Sequence, residues 1–301
     1  MRRLIIFTAI LVGSSATTSA QVQQGSNTVP PPTPQAKVVC ENPNGLGVAR
    51  TVEIDTTGGP GFGFEQYKAY DFLEDQEVVL TFDDGPQVGT TKKILDALQS
   101  HCTKATFFSI GKMALGMPDI LRDVIKRGHT VGSHTMTHAS IRKKKVQKDA
   151  VDEIEKGLSA VTRAAGVPIA PFFRYPFLED SPESLEYLAS RNIAVFSMDV
   201  DSFDYKARNA ERLVKDTMAR LDQKRKGIVL LHDIQPVTAK AMPLFLDALK
   251  AGGYKIVHVK AKAPASTLAD YDALIEKDVK GLPGTAADRP VSSIFRTVPN
   301  D

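Results

Sequence analysis

The sequence predicts an α/β fold in which parallel strands close into a barrel or near-barrel. Three observations carry this. Seven short apolar, β-branched runs recur through the middle of the chain, at residues 77–81, 105–110, 130–132, 171–174, 193–197, 228–231 and 255–259. Most of the intervals between them show helical periodicity. Five of the runs are followed at once by titratable residues, and in such folds chemistry sits at the C-terminal strand ends.

The elements follow in order. Arg2 and Arg3, the apolar run 4–12 and the small residues up to Ala20 form the pattern of a secretory signal peptide over 1–20. The apolar run is about half of the roughly 20 residues that a membrane span needs. Residues 21–36, with Pro30, Pro31 and Pro32, read as a disordered spacer. Residues 37–76 read as a glycine-rich extension packing on the barrel, with one short strand at 50–54. Residues 77–260 read as the main folded domain, which holds the strand–helix alternation.

Within that domain, residues 91–98 place Ile94, Leu95 and Leu98 on one helical face. Ser181 and Pro182 open a helix as N-cap and first-turn proline. Asn209 caps the stretch that carries Leu213, Val214, Met218 and Leu221. Gly252 and Gly253 end a helix through Leu244, Leu246 and Leu249. The tail, 261–301, holds a short helix near 267–275.

Composition bounds the function. The chain of 301 residues carries 38 basic and 35 acidic residues, a net charge of +3. That balance is too even to suggest a nucleic-acid partner, which needs a clustered basic face. Residues 1–20 contain two arginines and no acid, so their removal brings the charge from +3 to +1. The protein is expected to be exported, to the periplasm or the medium, with no membrane span in the mature chain. Two cysteines exclude an all-cysteine zinc site. In an oxidising compartment Cys40 and Cys102 are candidates for a disulfide, contributing about 3–4 kcal/mol in the loop-entropy view. The alternative is two unrelated thiols.

The strand ends carry the chemistry. Asp83 and Asp84 follow the first run, Ser133, His134 and His138 the third, and Arg174, Tyr175, Pro176 and Phe177 the fourth. Asp199, Asp201 and Asp204 follow the fifth, and His232 and Asp233 the sixth. Each piece alone has a plainer reading as a turn, a cap or an ion pair. Together on one rim they fit a site. Two histidines at i and i+4 share one side of a helical turn. With a carboxylate, Asp84, they form a three-ligand set suited to a borderline divalent ion: zinc first, cobalt or nickel as alternatives. Asp83 is then placed to take a proton from a water activated by the metal, and His232 to give one to the leaving group. The chemistry is metal-assisted hydrolysis of an amide or ester.

These motifs resemble the polysaccharide deacetylase family, the NodB-homology or carbohydrate esterase family 4 domain. Five match in order, beginning at Thr81, His134, Arg174, Asp201 and Leu230 and ending at Gly85, His138, Phe177, Tyr205 and Asp233. The resemblance implies a distorted (β/α)7-type barrel that removes N-acetyl groups from a GlcNAc-containing glycan, chitooligosaccharide or peptidoglycan. It implies Asp84, His134 and His138 as metal ligands, Asp83 as base, Arg174 orienting Asp83, and His232 as acid, oriented or tuned by Asp204. It implies an oxyanion contact from the backbone N–H of Phe177. It also implies that Leu231 packs on the acetyl methyl; with no tryptophan in the chain, any stacking on sugar falls to tyrosine or phenylalanine, such as Tyr175, Phe203 or Tyr205. The sequence departs from the family pattern at Phe177 and Leu178, and at Tyr205, where tryptophan is frequent; the chain has no tryptophan. O-deacetylation of xylan or another acetylated polysaccharide, and glycan binding by a vestigial site, are the alternatives.

Overall fold

The first apolar run becomes a seven-residue strand, Glu77–Asp83, in which every residue is buried. A near-continuous apolar run is what a strand covered on both faces requires. The structure is a computed structural model that describes residues 42–142 and 149–280. These residues lie in the compact unit Cys40–Asp301. The expected signal segment, the spacer, Cys40 and the end of the tail lie outside the described residues. Cys102 is disulfide-bonded.

The described strands are β1 (Arg50–Ile54), β2 (Gly61–Phe62), β3 (Glu77–Asp83), β4 (Thr106–Ser109), β5 (Thr130–Ser133), β6 (Phe172–Phe173), β7 (Ala194–Phe196), β8 (Val200–Asp201), β9 (Gly227–His232) and β10 (Lys255–Ala261). The helices are α1 (Thr91–Ser100), α2 (Gly111–Gly116), α3 (Pro118–Lys126), α4 (Ala150–Ala165), α5 (Pro182–Ser190), α6 (Ala210–Lys224), α7 (Pro236–Ala251) and α8 (Ala269–Lys280). The caps fall where side-chain chemistry requires them. The Ser181 hydroxyl accepts the backbone N–H of Ser184 in a capping box, with Pro182 in the first turn of α5. Asn209 accepts the N–H of Arg212 at 2.7 Å.

Every ladder is parallel, and the order β8–β9–β3–β4–β5–β6–β7 makes the staves of a distorted (β/α)7 barrel. Among the described residues no ladder joins β7 to β8, which follow each other in sequence. Two details differ from the sequence reading. The run at 255–259 is not one of the seven staves. Its strand, β10, pairs along all of β1 and touches only Glu77 and Val78 of β3. The remaining stave is β8, two residues long and too short to show a period. The glycine-rich segment also enters the sheet, since β1 pairs with β10 and β2 with β7.

Strand alternation divides the core. Val78, Leu80 and Phe82 of β3 join Val229 and Leu231 of β9 in the layer under the helices. Val79 and Ile228 point inward with Phe108, Phe172 and Phe196. The inward row of β3 continues through Thr81 to Asp83, and that of β9 through Leu230 to His232. The ladders align the ends: Asp83 lies opposite His232 and Phe108, and Ser133 opposite Ser109 and Phe173. The chain therefore leaves several adjacent strands at one level, and the polar residues gather there. In the tail, α8 runs longer than expected and buries Ile275 against Met136 and Ala160.

Candidate active site

The rim surrounds a cavity of about 380 Å³. Asp83, Asp84, His134, His138, Phe177, Tyr205 and His232 all line it. Adjacent residues on a strand point to opposite faces, so two neighbouring carboxylates need a break in the strand. Asp84 supplies it with a left-handed backbone, φ 81°. Thr135, His138, Phe177 and Phe203 are left-handed as well. Such conformations cost non-glycine residues about 1–3 kcal/mol each and collect at functional sites.

The two histidines converge, but not on a helical turn. Residues 134–138 form an irregular loop, with φ 67° at Thr135 and 62° at His138. The Thr135 hydroxyl accepts the backbone N–H of His138 at 3.0 Å and holds the loop. One ligand atom each from Asp84, His134 and His138 lies within 4.8 Å of the others. Asp84 Oδ1 is 3.5 Å from His134 Nε2 and 3.3 Å from His138 Nε2.

Three features fit a divalent ion. Asp84 Oδ1 is buried with no hydrogen-bond donor among the described residues, an expensive condition for a carboxylate oxygen. The Nδ1 of His134 lies 2.7 Å from the carbonyl of Arg174. A carbonyl can only accept, so Nδ1 carries a proton, and Nε2, the nitrogen turned to Asp84, is the one available to a metal. Burial and the neighbouring His134 hold His138 below its ordinary range, favouring the neutral ring that a metal ligand needs.

Asp83 is held from behind. Arg174, fully buried, donates from Nη1 to Asp83 Oδ1 at 2.8 Å and to the Thr81 hydroxyl at 2.7 Å. Its other nitrogens reach the carbonyls of Phe196 and Ser197 at 3.3 and 2.7 Å, and its guanidinium lies 4.4 Å from the centre of the Phe108 ring. Asp83 Oδ2 faces His134 Nε2 at 3.9 Å.

On the opposite side, His232 Nδ1 meets Asp204 Oδ1 at 2.6 Å. Asp204 is fully buried, and its other oxygen accepts the His232 backbone N–H at 2.7 Å and the Thr238 hydroxyl at 2.6 Å. Burial works against a proton on His232, but the bond to Asp204 and the charges of Asp204, Asp83 and Asp84 outweigh it and push the ring up to about 9.

The aromatic and apolar walls correct several expectations. Leu231 does not face the cavity; it is buried on the helix side, and Leu230 lines the cavity instead. Period-two alternation from His232 requires this, because residues two apart share a face. Tyr175 is only 2% exposed, and its hydroxyl donates to Ser184 at 2.9 Å. It borders the cavity without offering a face to sugar. Phe203 lines a different cavity. The open aromatic walls are Tyr205, 47% exposed and 5.6 Å edge-on from His232, and Phe177, 62% exposed and 4.6 Å edge-on from His138.

Two acids gain positions that residue type alone did not reveal. Asp201 lines the cavity, and burial raises its carboxyl above the ordinary range. Asp233, fully buried, accepts the Thr91 hydroxyl at 2.6 Å, and burial pushes its carboxyl up to about 7. It braces the turn after β3 so closely that any Cβ at Gly85 would collide with it. Both stand at motif ends in the sequence, Asp201 opening the fourth motif and Asp233 closing the fifth, with no role assigned to them there.

Comparison with known proteins agrees with this geometry. The sequence profile of the polysaccharide deacetylase family matches residues 72–196. A chitooligosaccharide deacetylase of Bradyrhizobium sp. is 30% identical over 196 residues, covering 60% of this chain and 88% of that protein. A peptidoglycan-N-acetylglucosamine deacetylase of Listeria monocytogenes is 32% identical over 184 residues, covering 61% of this chain but only 38% of the relative's length. Among solved structures, a peptidoglycan deacetylase of Bdellovibrio bacteriovorus superposes with a TM-score of 0.64 at 33% identity, covering 71% of this chain and 59% of that one. A family 4 carbohydrate esterase from Streptomyces lividans gives 0.52 at 27% identity, covering 64% of this chain and 97% of that one. With its barrel, its motifs and these likenesses, the chain belongs to the polysaccharide deacetylase family.

Proposed function

We propose that the protein is an exported, metal-dependent N-deacetylase of a GlcNAc-containing glycan, chitooligosaccharide or peptidoglycan. The observation that carries this is the convergence on one cavity of Asp84, His134 and His138, with Asp83 tied to Arg174 and His232 tied to Asp204. Asp84, His134 and His138 would hold the ion, with zinc favoured over cobalt or nickel for this donor set. A bound divalent ion supplies Lewis acidity toward the acetyl oxygen and lowers the pKa of water.

The chain's own groups do the rest. Asp83 accepts the proton of the attacking water, and Arg174 fixes the carboxylate so that Oδ2 faces the ligand side. The backbone N–H of Phe177 donates to the acetyl oxygen as negative charge develops there. His232, kept protonated by Asp204, gives its proton to the departing sugar nitrogen. Leu230 meets the acetyl methyl, and Tyr205 and Phe177 offer rings to the sugar faces. The cleaved bond is the amide C–N, and the products are acetate and an amino sugar. The signal-like pattern of residues 1–20 supports export.

The test is acetate release from chitooligomers, peptidoglycan fragments and acetylated xylan, with metal content measured on the same sample. Release from the GlcNAc substrates alone is expected. Release from xylan alone would replace the reading with O-deacetylation, and glycan binding without release on added zinc or cobalt would replace it with a lectin.

A further inference from the structure

We propose that a basic cavity behind the Tyr205 wall is a subsite for a carboxylate carried by the sugar next to the one deacetylated. The inference rests on the N-deacetylase reading and names the substrate class within it: an anionic glycan such as peptidoglycan, rather than a neutral one such as chitooligosaccharide.

The cavity is about 440 Å³ and lies at the start of α6. Its lining is unevenly charged. Lys206, Arg208, Arg212 and Arg220 contribute four cations, and Asp216 a single acid. Among the described residues, Asp216 partly neutralises Arg212, at 3.4 Å. The other three cations form no ion pair with a carboxylate among the described residues, and Asp201 attracts Arg220 across the wall. Arg220 is the most specific of them. Its guanidinium lies 4.8 Å from the centre of the Phe203 ring, and its Nη1 is buried with no acceptor among the described residues. A buried guanidinium nitrogen lacking an acceptor loses its hydration with no return. The stack on Phe203 leaves the guanidinium plane fixed, the state in which it binds a carboxylate with least entropy lost.

The cavity shares a wall with the active site. Within one short segment, Asp201 and Tyr205 line the catalytic cavity, and Ser202, Phe203 and Lys206 line the basic one. Lys206 Nζ straddles the wall, 5.0 Å from the ring centre of Tyr205 and 5.0 Å from that of Phe203. A glycan that stacks one sugar on Tyr205 thus brings the next toward Lys206 and the arginines beyond. A neutral polymer has nothing to place there. A lactyl carboxylate, or the carboxylates of a stem peptide attached to it, has.

The experiment compares a peptide-free GlcNAc–MurNAc tetrasaccharide, its lactyl methyl ester, and the same glycan carrying its stem peptide. Each is measured for binding by calorimetry and for acetate release. The acid is expected to bind about tenfold tighter than the ester, the scale of one charge-assisted hydrogen bond, and the ratio should shrink as salt rises. Arg220→Gln should bring the ratio toward one. Lys206→Gln and Arg208→Gln, both at exposed positions, provide the same readout if Arg220→Gln does not fold. A preference seen with the bare glycan assigns the carboxylate to the lactyl group; one seen only with peptide attached assigns it to the stem. Equal binding of acids and ester by the parent, or an unchanged ratio in the variants, overturns the subsite. Preferential binding with no acetate release from any glycan overturns the deacetylase reading and leaves the subsite standing.

Discussion

Arg174 donates to Asp83 across 2.8 Å, and the two side chains are 0% and 4% exposed. A buried ion pair is strongly destabilised when one partner is removed, by about 3–5 kcal/mol, because the other charge is stranded. Arg174 also spans Thr81, Phe196 and Ser197. Lysine cannot reproduce that planar fork. Arg174→Lys is therefore expected to lower the melting temperature and to reduce kcat by about 10²-fold or more, the range of a misplaced general base. Asp83→Asn leaves the buried Arg174 charge unpaired, so it should melt earlier than the parent while keeping the native circular-dichroism spectrum at room temperature, and it should abolish acetate release. Turnover by Asp83→Asn equal to the parent's would remove Asp83 as the base.

The His232–Asp204 pair predicts a pH profile. Asp204 helps raise His232 to about 9, so the protonated acid persists above neutrality and activity declines as pH rises through its titration. In Asp204→Asn the supporting charge is gone and the alkaline limb should move to lower pH. His232→Ala should lose about 10²–10⁴-fold in kcat while retaining metal. Loss of metal from His232→Ala would make the residue a ligand instead.

Removal of the ion should abolish acetate release, and zinc or cobalt should restore it. Asp84→Ala or His138→Ala should reduce the metal content below one per chain. Because an ion that binds only the folded chain stabilises it by mass action, about 4 kcal/mol at a thousandfold excess over Kd, the chelated parent should also melt earlier. Full activity after demonstrated metal removal rejects the mechanism.

Leu230 and Leu231 separate function from packing. Leu231→Ala removes a side chain from the helix-side core and should cost about 2–5 kcal/mol of stability. Leu230→Ala opens the catalytic cavity and should lower kcat/KM far more than Leu231→Ala does. The reverse ranking would mean that the strand is misregistered.

At the opposite end of the barrel, burial holds His129 at about 3 and His258 at about 4; Lys104 adds repulsion to both, Arg127 to His129 and Lys260 to His258. Above the ordinary value of 6.5, both states are neutral and neither ring affects stability. As pH falls below it, the unfolded chain takes up protons that the folded chain refuses. Stability then falls by about 1.4 kcal/mol per pH unit for each histidine, until the folded values are reached. Asp233, raised to about 7, acts with the opposite sign over part of this range. The comparison with His258→Gln therefore isolates one ring: its denaturation midpoints between pH 6 and 4 should fall less steeply than the parent's.

Much of the site was legible because its residues are local signals at strand ends. Asp83, Asp84 and His232 follow apolar runs whose length and β-branching mark them as strands, and Ser181 and Asn209 announce their caps. Leu230 was equally legible, since counting two residues back from His232 names it. The strand β8 was not, because two residues carry no period. The loop from His134 to His138 was not either: a four-residue spacing suits a helix, whereas left-handed turns at Thr135 and His138 bring the rings together here.

By itself the sequence determined the alternation of strands and helices, the order of the motifs and the types of donor, because periodicity, capping and ligand chemistry are properties of neighbouring residues. Tertiary structure alone decided that Arg174 reaches Asp83 across 91 positions of chain, that Asp204 reaches His232, that Tyr175 is packed away while Phe177 stands open, and that the cations of α6 gather behind Tyr205. Those relationships depend on ladder register and on which faces are covered, and both are set only when distant segments bury their apolar surfaces against one another.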